Sequence, residues 1–193
     1  MGSDPSSGDP DRIIPSAFPQ GYPNGTLSGE FAAAWMVEQV HKYPGEVIIY
    51  SGGALTNVAL AVRMDSEFAR LAKGLVIMGG YIDVNLLQTS GSIHQANINS
   101  DINLITDPVA TKIALTADFP DITVVGNGAN QIYPTPEYLD EIYEVKNAYT
   151  ELIHKYYGTT MPFWDETAMF ASLHPDNILN STTCELRVAF RPE

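Results

Sequence analysis

Three short runs constrain the fold most: Val47-Ile-Ile-Tyr50, Gly74-Leu-Val-Ile-Met78 and Asp121-Ile-Thr-Val-Val125. The first is β-branched through most of its length and all three are mainly apolar, whereas a strand with one wet face would alternate. Strands of this kind are covered on both sides. Between them lie helical patterns. From Leu27 to Tyr43, residues Phe31, Ala34, Trp35, Val37, Val40 and His41 recur at three- and four-residue spacing, and Pro44-Gly45 stops the pattern. Ala54–Met64 and Asp65–Lys73 read as further helical pieces, and Asp107-Pro108 has cap and first-turn character for a helix over Val109–Ala117. Thr135-Pro136-Glu137 predicts the start of one long amphipathic helix through Tyr157. A shorter helix is expected from Asp165 to Leu173, and Cys184–Phe190 is a candidate final strand. Alternating buried strands and helices imply an α/β fold: a parallel sheet, helices on both faces, right-handed crossovers.

Residues 1–26 hold many Pro, Gly and Ser and are expected to form an irregular arm, with the α/β domain over 27–193. The 193 residues suffice to bury a substantial core, and 45 % hydrophobic with 17 % charged residues is an ordinary globular composition. Ten basic against 23 acidic residues leave a net charge of −13 with no Lys/Arg-rich run, which argues against nucleic acid as a partner. A neutral or cationic ligand or a divalent metal suits such a chain better. Cys184 is the sole cysteine, so neither an internal disulfide nor a cysteine-based zinc site is available. No apolar run reaches membrane-spanning length, so no membrane partner is expected. The chain carries no signal-peptide pattern, and secreted and cytoplasmic locations both stay open.

In open parallel sheets, ligands sit outside the carboxyl ends of the strands. Attention therefore falls on Ser51-Gly-Gly, on the polar loop from Gly79 onward, and on Gly126-Asn-Gly128. Ser51-Gly-Gly-Ala-Leu-Thr-Asn57 reads either as a plain strand-to-helix turn or as a ligand loop; no Walker lysine follows. Ala96-Asn-Ile-Asn-Ser-Asp-Ile-Asn103 places Asn97, Asn99, Asp101 and Asn103 at alternate positions. Extended, it would aim all four at one face, a set suited to sugar hydroxyls; as a capped loop, the same residues would serve turns. Met161-Pro-Phe-Trp-Asp-Glu-Thr-Ala168 puts Asp165 and Glu166 at a helix start, where the dipole alone favours acids. Asp165 could equally be a hard oxygen ligand for calcium, beside the aromatic wall of Phe163 and Trp164. His41, His94, His154 and His174 show no metal-binding spacing, and no Gly-x-Ser-x-Gly elbow is present.

These pieces, in this order, resemble the inosine–uridine-preferring nucleoside hydrolases, particularly fungal-type members, from near Glu30 to about Ile178. Ser51-Gly-Gly-Ala-Leu-Thr-Asn57 is similar to the family's TGPLTN turn, and Val76-Ile-Met-Gly-Gly80 to its LMGG strand end. Asp101-Ile-Asn-Leu-Ile-Thr-Asp-Pro108 resembles EFNxxxDP, and Phe163-Trp-Asp165 falls where the family carries HDP. The resemblance implies a Rossmann-like, mostly parallel nucleoside hydrolase fold. It also implies calcium-assisted hydrolysis of a ribonucleoside to base and ribose. By position, Asp165 and the Ser51 carbonyl would hold calcium, and Asn97, Asp101 and Asn103 would bind ribose hydroxyls. Trp164 stands where many relatives have His, and would stack on the base or close the pocket.

Nothing in the chain matches the family's Asp-rich DTDPGxDD motif, which supplies most of its metal site and its general base. The expectation is a truncated hydrolase domain, weakly active or inactive alone. The alternative is a non-catalytic protein that keeps the fold to bind a nucleoside or sugar, or to assemble. Sheet edges left unpaired would favour a homo-oligomer.

Overall fold

The computed structural model describes residues 28–80, 101–126, 132–181 and 183. Everything below lies in the compact unit Phe31–Glu193. Helix α1 (Ala32–Lys42) leads into strand β1 (Ile48–Ser51), followed by α2 (Thr56–Met64), the single turn α3 (Phe68–Leu71) and β2 (Gly74–Met78). Then come the single turn α4 (Ile102–Ile105), α5 (Pro108–Leu115) and β3 (Ile122–Val125). Helices α6 (Pro136–Tyr143), α7 (Ala148–Tyr156) and α8 (Trp164–Leu173) complete the unit, with a 3₁₀ turn at Pro175–Asn177.

The three strands are parallel in the order β1-β2-β3, in register from Ile48 opposite Gly74 and from Leu75 opposite Ile122. All five residues of β2 are buried, as an unbroken apolar run requires. Period two divides the strand between two cores. Leu75 and Ile77 join Ile49, Val40, Leu55, Val58, Phe68, Ala110 and Ala114 in the main cluster, under α1, α2 and α5. Helix α8 packs across all three strands, and its Ala168 is fully buried. The α/β sheet with helices on both faces is therefore present.

One expectation needs correction, and one open alternative is decided. The single helix expected from Thr135 to Tyr157 is two. Asn147 accepts the Tyr149 and Thr150 amides at 2.9 and 3.0 Å, while Thr150 Oγ1 accepts the Asn147 amide at 3.1 Å. This reciprocal cap starts a new helix, and the pair folds back so that Tyr143 stacks on His154 at 4.3 Å. Asn147→Ala is expected to lower unfolding free energy by about 1 kcal/mol, read by urea denaturation. The open alternative concerns the polar stretch, where the capped reading holds at Asp101. Asp101 caps the helical turn α4, so Asp101 and Asn103 do not lie on one face of an extended strand. Asn97, Asn99, His94 and the strand expected over Cys184–Phe190 lie outside the described residues.

Candidate functional site

The carboxyl ends of β1 and β2 are held together by one side chain. Asn103 donates from Nδ2 to the Met78 carbonyl at 3.1 Å and to the Gly52 carbonyl at 3.4 Å, with Met78 Sδ at 3.3 Å. Its amide group is thereby committed to main chain, and what remains for a ligand is the Oδ1 acceptor.

Asp101 is buried and holds the end of β2. Its Oδ2 accepts the Gly80 amide at 2.7 Å, and its Oδ1 accepts the amides of Asn103 and Leu104 at 3.0 and 3.2 Å. An ionised carboxylate has about four lone-pair sites, so the residue retains room for roughly one further donor. The path past Asp101 needs glycine. Gly79 and Gly80 have φ of +142° and +83°, and a Cβ on Gly80 would come within 2.9 Å of Val124.

Helix α8 brings Asp165 to the end of β1. A Cβ added to Gly52 would lie 3.1 Å from Asp165 Oδ1 and 3.1 Å from the Tyr50 hydroxyl, so a larger residue here would have to displace one of them by a few tenths of an ångström. Tyr50 donates its hydroxyl to the Asp165 carbonyl at 3.0 Å and pins the start of α8 to the strand. Ser51, the last residue of β1, is buried and donates its hydroxyl to the Gly53 carbonyl at 3.1 Å. Asp165 Oδ1 is buried with no hydrogen-bond partner. Burial pushes its carboxyl above the usual range; Glu166 adds to this, while Trp164 and Tyr50 oppose it. The Tyr50 hydroxyl is pushed up to about 12, by burial first and then by Asp165 and Glu166. Tyr157 donates to Glu166 and is also raised, burial again leading.

Trp164, half-buried, is the first residue of α8. Before it, Phe163 meets Tyr138 edge-on at 5.8 Å and Tyr157 at 5.3 Å, and its amide donates to the Ile132 carbonyl at 2.6 Å. Ser51, Asn103 and Asp165 thus meet around Gly52, and Asp101 sits behind them against Gly79-Gly80. Tyr50 was not singled out from sequence; its signal was its position directly before the glycine turn.

A buried carboxylate oxygen without a partner suits a hard cation, and Asp165 fits a calcium ligand on that ground. Glu166, its acidic neighbour, is engaged by Tyr157. Among the described residues, the group of three or more His, Asp or Glu ligand atoms close enough to hold one ion is elsewhere, at His41, Asp65 and Glu67.

The sequence profile described as inosine-uridine preferring nucleoside hydrolase matches residues 6–192. The chain belongs to that family. Among curated relatives it is similar to uridine nucleosidase 1 of Arabidopsis thaliana, 36 % identical over 132 residues, covering 68 % of this chain and 37 % of the relative. It is also similar to an uncharacterised protein of Schizosaccharomyces pombe, 31 % identical over 165 residues, covering 78 % of this chain and 42 % of the other. The chain therefore spans less than half the length of these two relatives. Among solved structures, a plant nucleoside hydrolase superposes with a TM-score of 0.64 at 24 % identity, covering 86 % of this chain and 56 % of that one. A purine-preferring ribonucleoside hydrolase from Gardnerella vaginalis also gives 0.64, at 18 % identity, covering 87 % and 58 %. At these identities the structures share the nucleoside hydrolase fold.

Proposed function

We propose that this chain carries part of the site of a nucleoside N-ribohydrolase, the part that faces ribose and a cation. The observation that carries this reading is the unpartnered, buried Oδ1 of Asp165 beside Gly52. Membership of a nucleoside hydrolase family supports the substrate class, a ribonucleoside cleaved to base and ribose. Asp165 and the Ser51 carbonyl are the proposed calcium ligands. Asn103 offers its Oδ1, and Asp101 its remaining lone pair, to ribose hydroxyls; Asn97 belongs to the same proposed set. Trp164 closes the base side or stacks on the base. Calcium, when bound, would orient ribose hydroxyls and water. The protein's own contribution is positional. Carboxylate and amide oxygens around the sugar favour the positive charge that develops as the glycosidic bond breaks.

Calcium takes six to eight oxygens, and the ligands proposed above are fewer. Calcium binding by the 193-residue chain is accordingly expected only in the millimolar range, with little or no ribose released from inosine or uridine. Calorimetry with calcium and a reducing-sugar assay check this. Submillimolar binding together with ribose release would overturn the weak-activity reading.

A second reading is a non-catalytic protein that keeps the fold to bind or assemble, in which Asp101 serves the backbone alone, three amides already occupying most of its carboxylate. Nucleoside binding by calorimetry without turnover, even when calcium is saturating, would select it.

A further inference from the structure

A second group of donors lies where the chain enters the strands, at the end of the sheet opposite Asp165. His41 is in the last turn of α1, and Asp65 and Glu67 belong to the turn between α2 and α3. The Gly45 amide bonds the Leu71 carbonyl at 2.7 Å and the Lys73 amide bonds the Val47 carbonyl at 2.8 Å, joining the segments that lead into β1 and β2. One ligand atom from each of His41, Asp65 and Glu67 lies within 4.8 Å of the other two.

The turn holds Asp65 in place before any ion arrives. Its amide bonds the Ala61 carbonyl at 3.0 Å, its carbonyl accepts the Phe68 amide at 3.3 Å, and its Oδ1 accepts the Glu67 amide at 2.9 Å. These bonds leave Oδ2 to meet His41 Nε2 at 2.5 Å. The His41 side chain is 46 % exposed, so solvent reaches the group without any opening of the fold.

We propose that His41, Asp65 and Glu67 bind one divalent first-row transition ion, zinc being the best suited, and so staple the end of α1 to the α2–α3 turn. An imidazole nitrogen with two carboxylate oxygens matches zinc, with water in a fourth position. The nitrogen donor also selects against calcium and magnesium, which prefer oxygen. Neutral imidazole presents its Nε2 lone pair to the ion and keeps its proton on Nδ1, and the two carboxylates balance the ionic charge. The ion takes the place of the His41–Asp65 hydrogen bond. This site is independent of nucleoside chemistry, because its ligands and those proposed around Asp165 share no residue.

The fold contains its own comparison. His154 Nε2 and Asp140 Oδ1 form a similar pair at 2.9 Å, with no third such ligand close by among the described residues. Zinc chloride is titrated calorimetrically into the 193-residue chain and into His41→Ala, Glu67→Gln and His154→Ala, with circular dichroism as the folding check. The expected result is one zinc site. His41→Ala weakens it at least tenfold, about 1.4 kcal/mol. Glu67→Gln weakens it severalfold, and His154→Ala and excess calcium leave it unchanged. Cobalt(II) bound to the original chain shows a visible absorption band that His41→Ala loses. Absence of zinc binding overturns the proposal, as does binding that survives both His41→Ala and Glu67→Gln, or that is lost only in His154→Ala. Should His41→Ala fail to fold, Glu67→Gln, which changes only an exposed side chain, decides the matter.

Discussion

Asp165→Asn is expected to raise the stability of the calcium-free chain and to abolish its response to calcium. The first effect follows from the buried Oδ1, which lacks a hydrogen-bond partner, and from the burial that pushes the Asp165 carboxyl above its usual range. An unsatisfied buried polar atom costs on the order of 1–3 kcal/mol, more when charged, so removing the charge should return about 1 kcal/mol. The second effect follows from linkage. A ligand that binds only the native state stabilises it, and without the carboxylate that stabilisation disappears. Urea denaturation in chelator and again in millimolar calcium reads both effects. The original chain gains stability from calcium and the variant does not. A variant less stable in chelator would show that the carboxylate is a structural partner rather than a calcium ligand.

Asp101→Ala is expected to lower unfolding free energy by about 2–4 kcal/mol. The estimate combines loss of a helix cap at Asn103 and Leu104 with a buried Gly80 amide left without its acceptor. Gly79 and Gly80 hold their positive φ beside this carboxylate, so the end of β2 should lose its shape and the neighbouring Asn103 contacts should loosen with it. Asp101→Asn keeps an acceptor oxygen and should cost roughly half as much. Denaturation midpoints for the two variants check this, and a cost below about 0.5 kcal/mol for Asp101→Ala would remove Asp101 from its clamping role.

Much of the architecture was legible because it rests on local chemistry. Gly74–Met78 is a strand of the same residues in sequence and structure, since an unbroken apolar run buries itself on both faces. Asp107-Pro108 starts its helix as expected, Asp107 accepting the Ala110 amide at 3.0 Å. The break at Asn147 was also present in the sequence, as an Asn three residues before a Thr. It was overridden by the continuous amphipathic spacing on either side.

The site was legible in a different way. Residue types marked which side chains have the chemistry to meet a sugar or a cation, and the strand and helix pattern put Ser51 at a strand end, Asp165 at a helix start, and Asp101 and Asn103 in the polar loop after the second strand. Only the tertiary structure decided how their atoms are used. Asp101 resembles a ligand in sequence, but three backbone amides from Gly80, Asn103 and Leu104 claim most of its oxygens. Asp165 resembles a residue at an ordinary helix start, but packing against Gly52 and Tyr50 buries one oxygen without a donor. His41 and Asp65 stand 24 positions apart, too far for any spacing rule, and meet at 2.5 Å because α1 packs against α2 and α3. A residue type states what an atom can bind; which of its lone pairs are already taken depends on backbone donors brought in from other elements, and those arrive only when the chain folds.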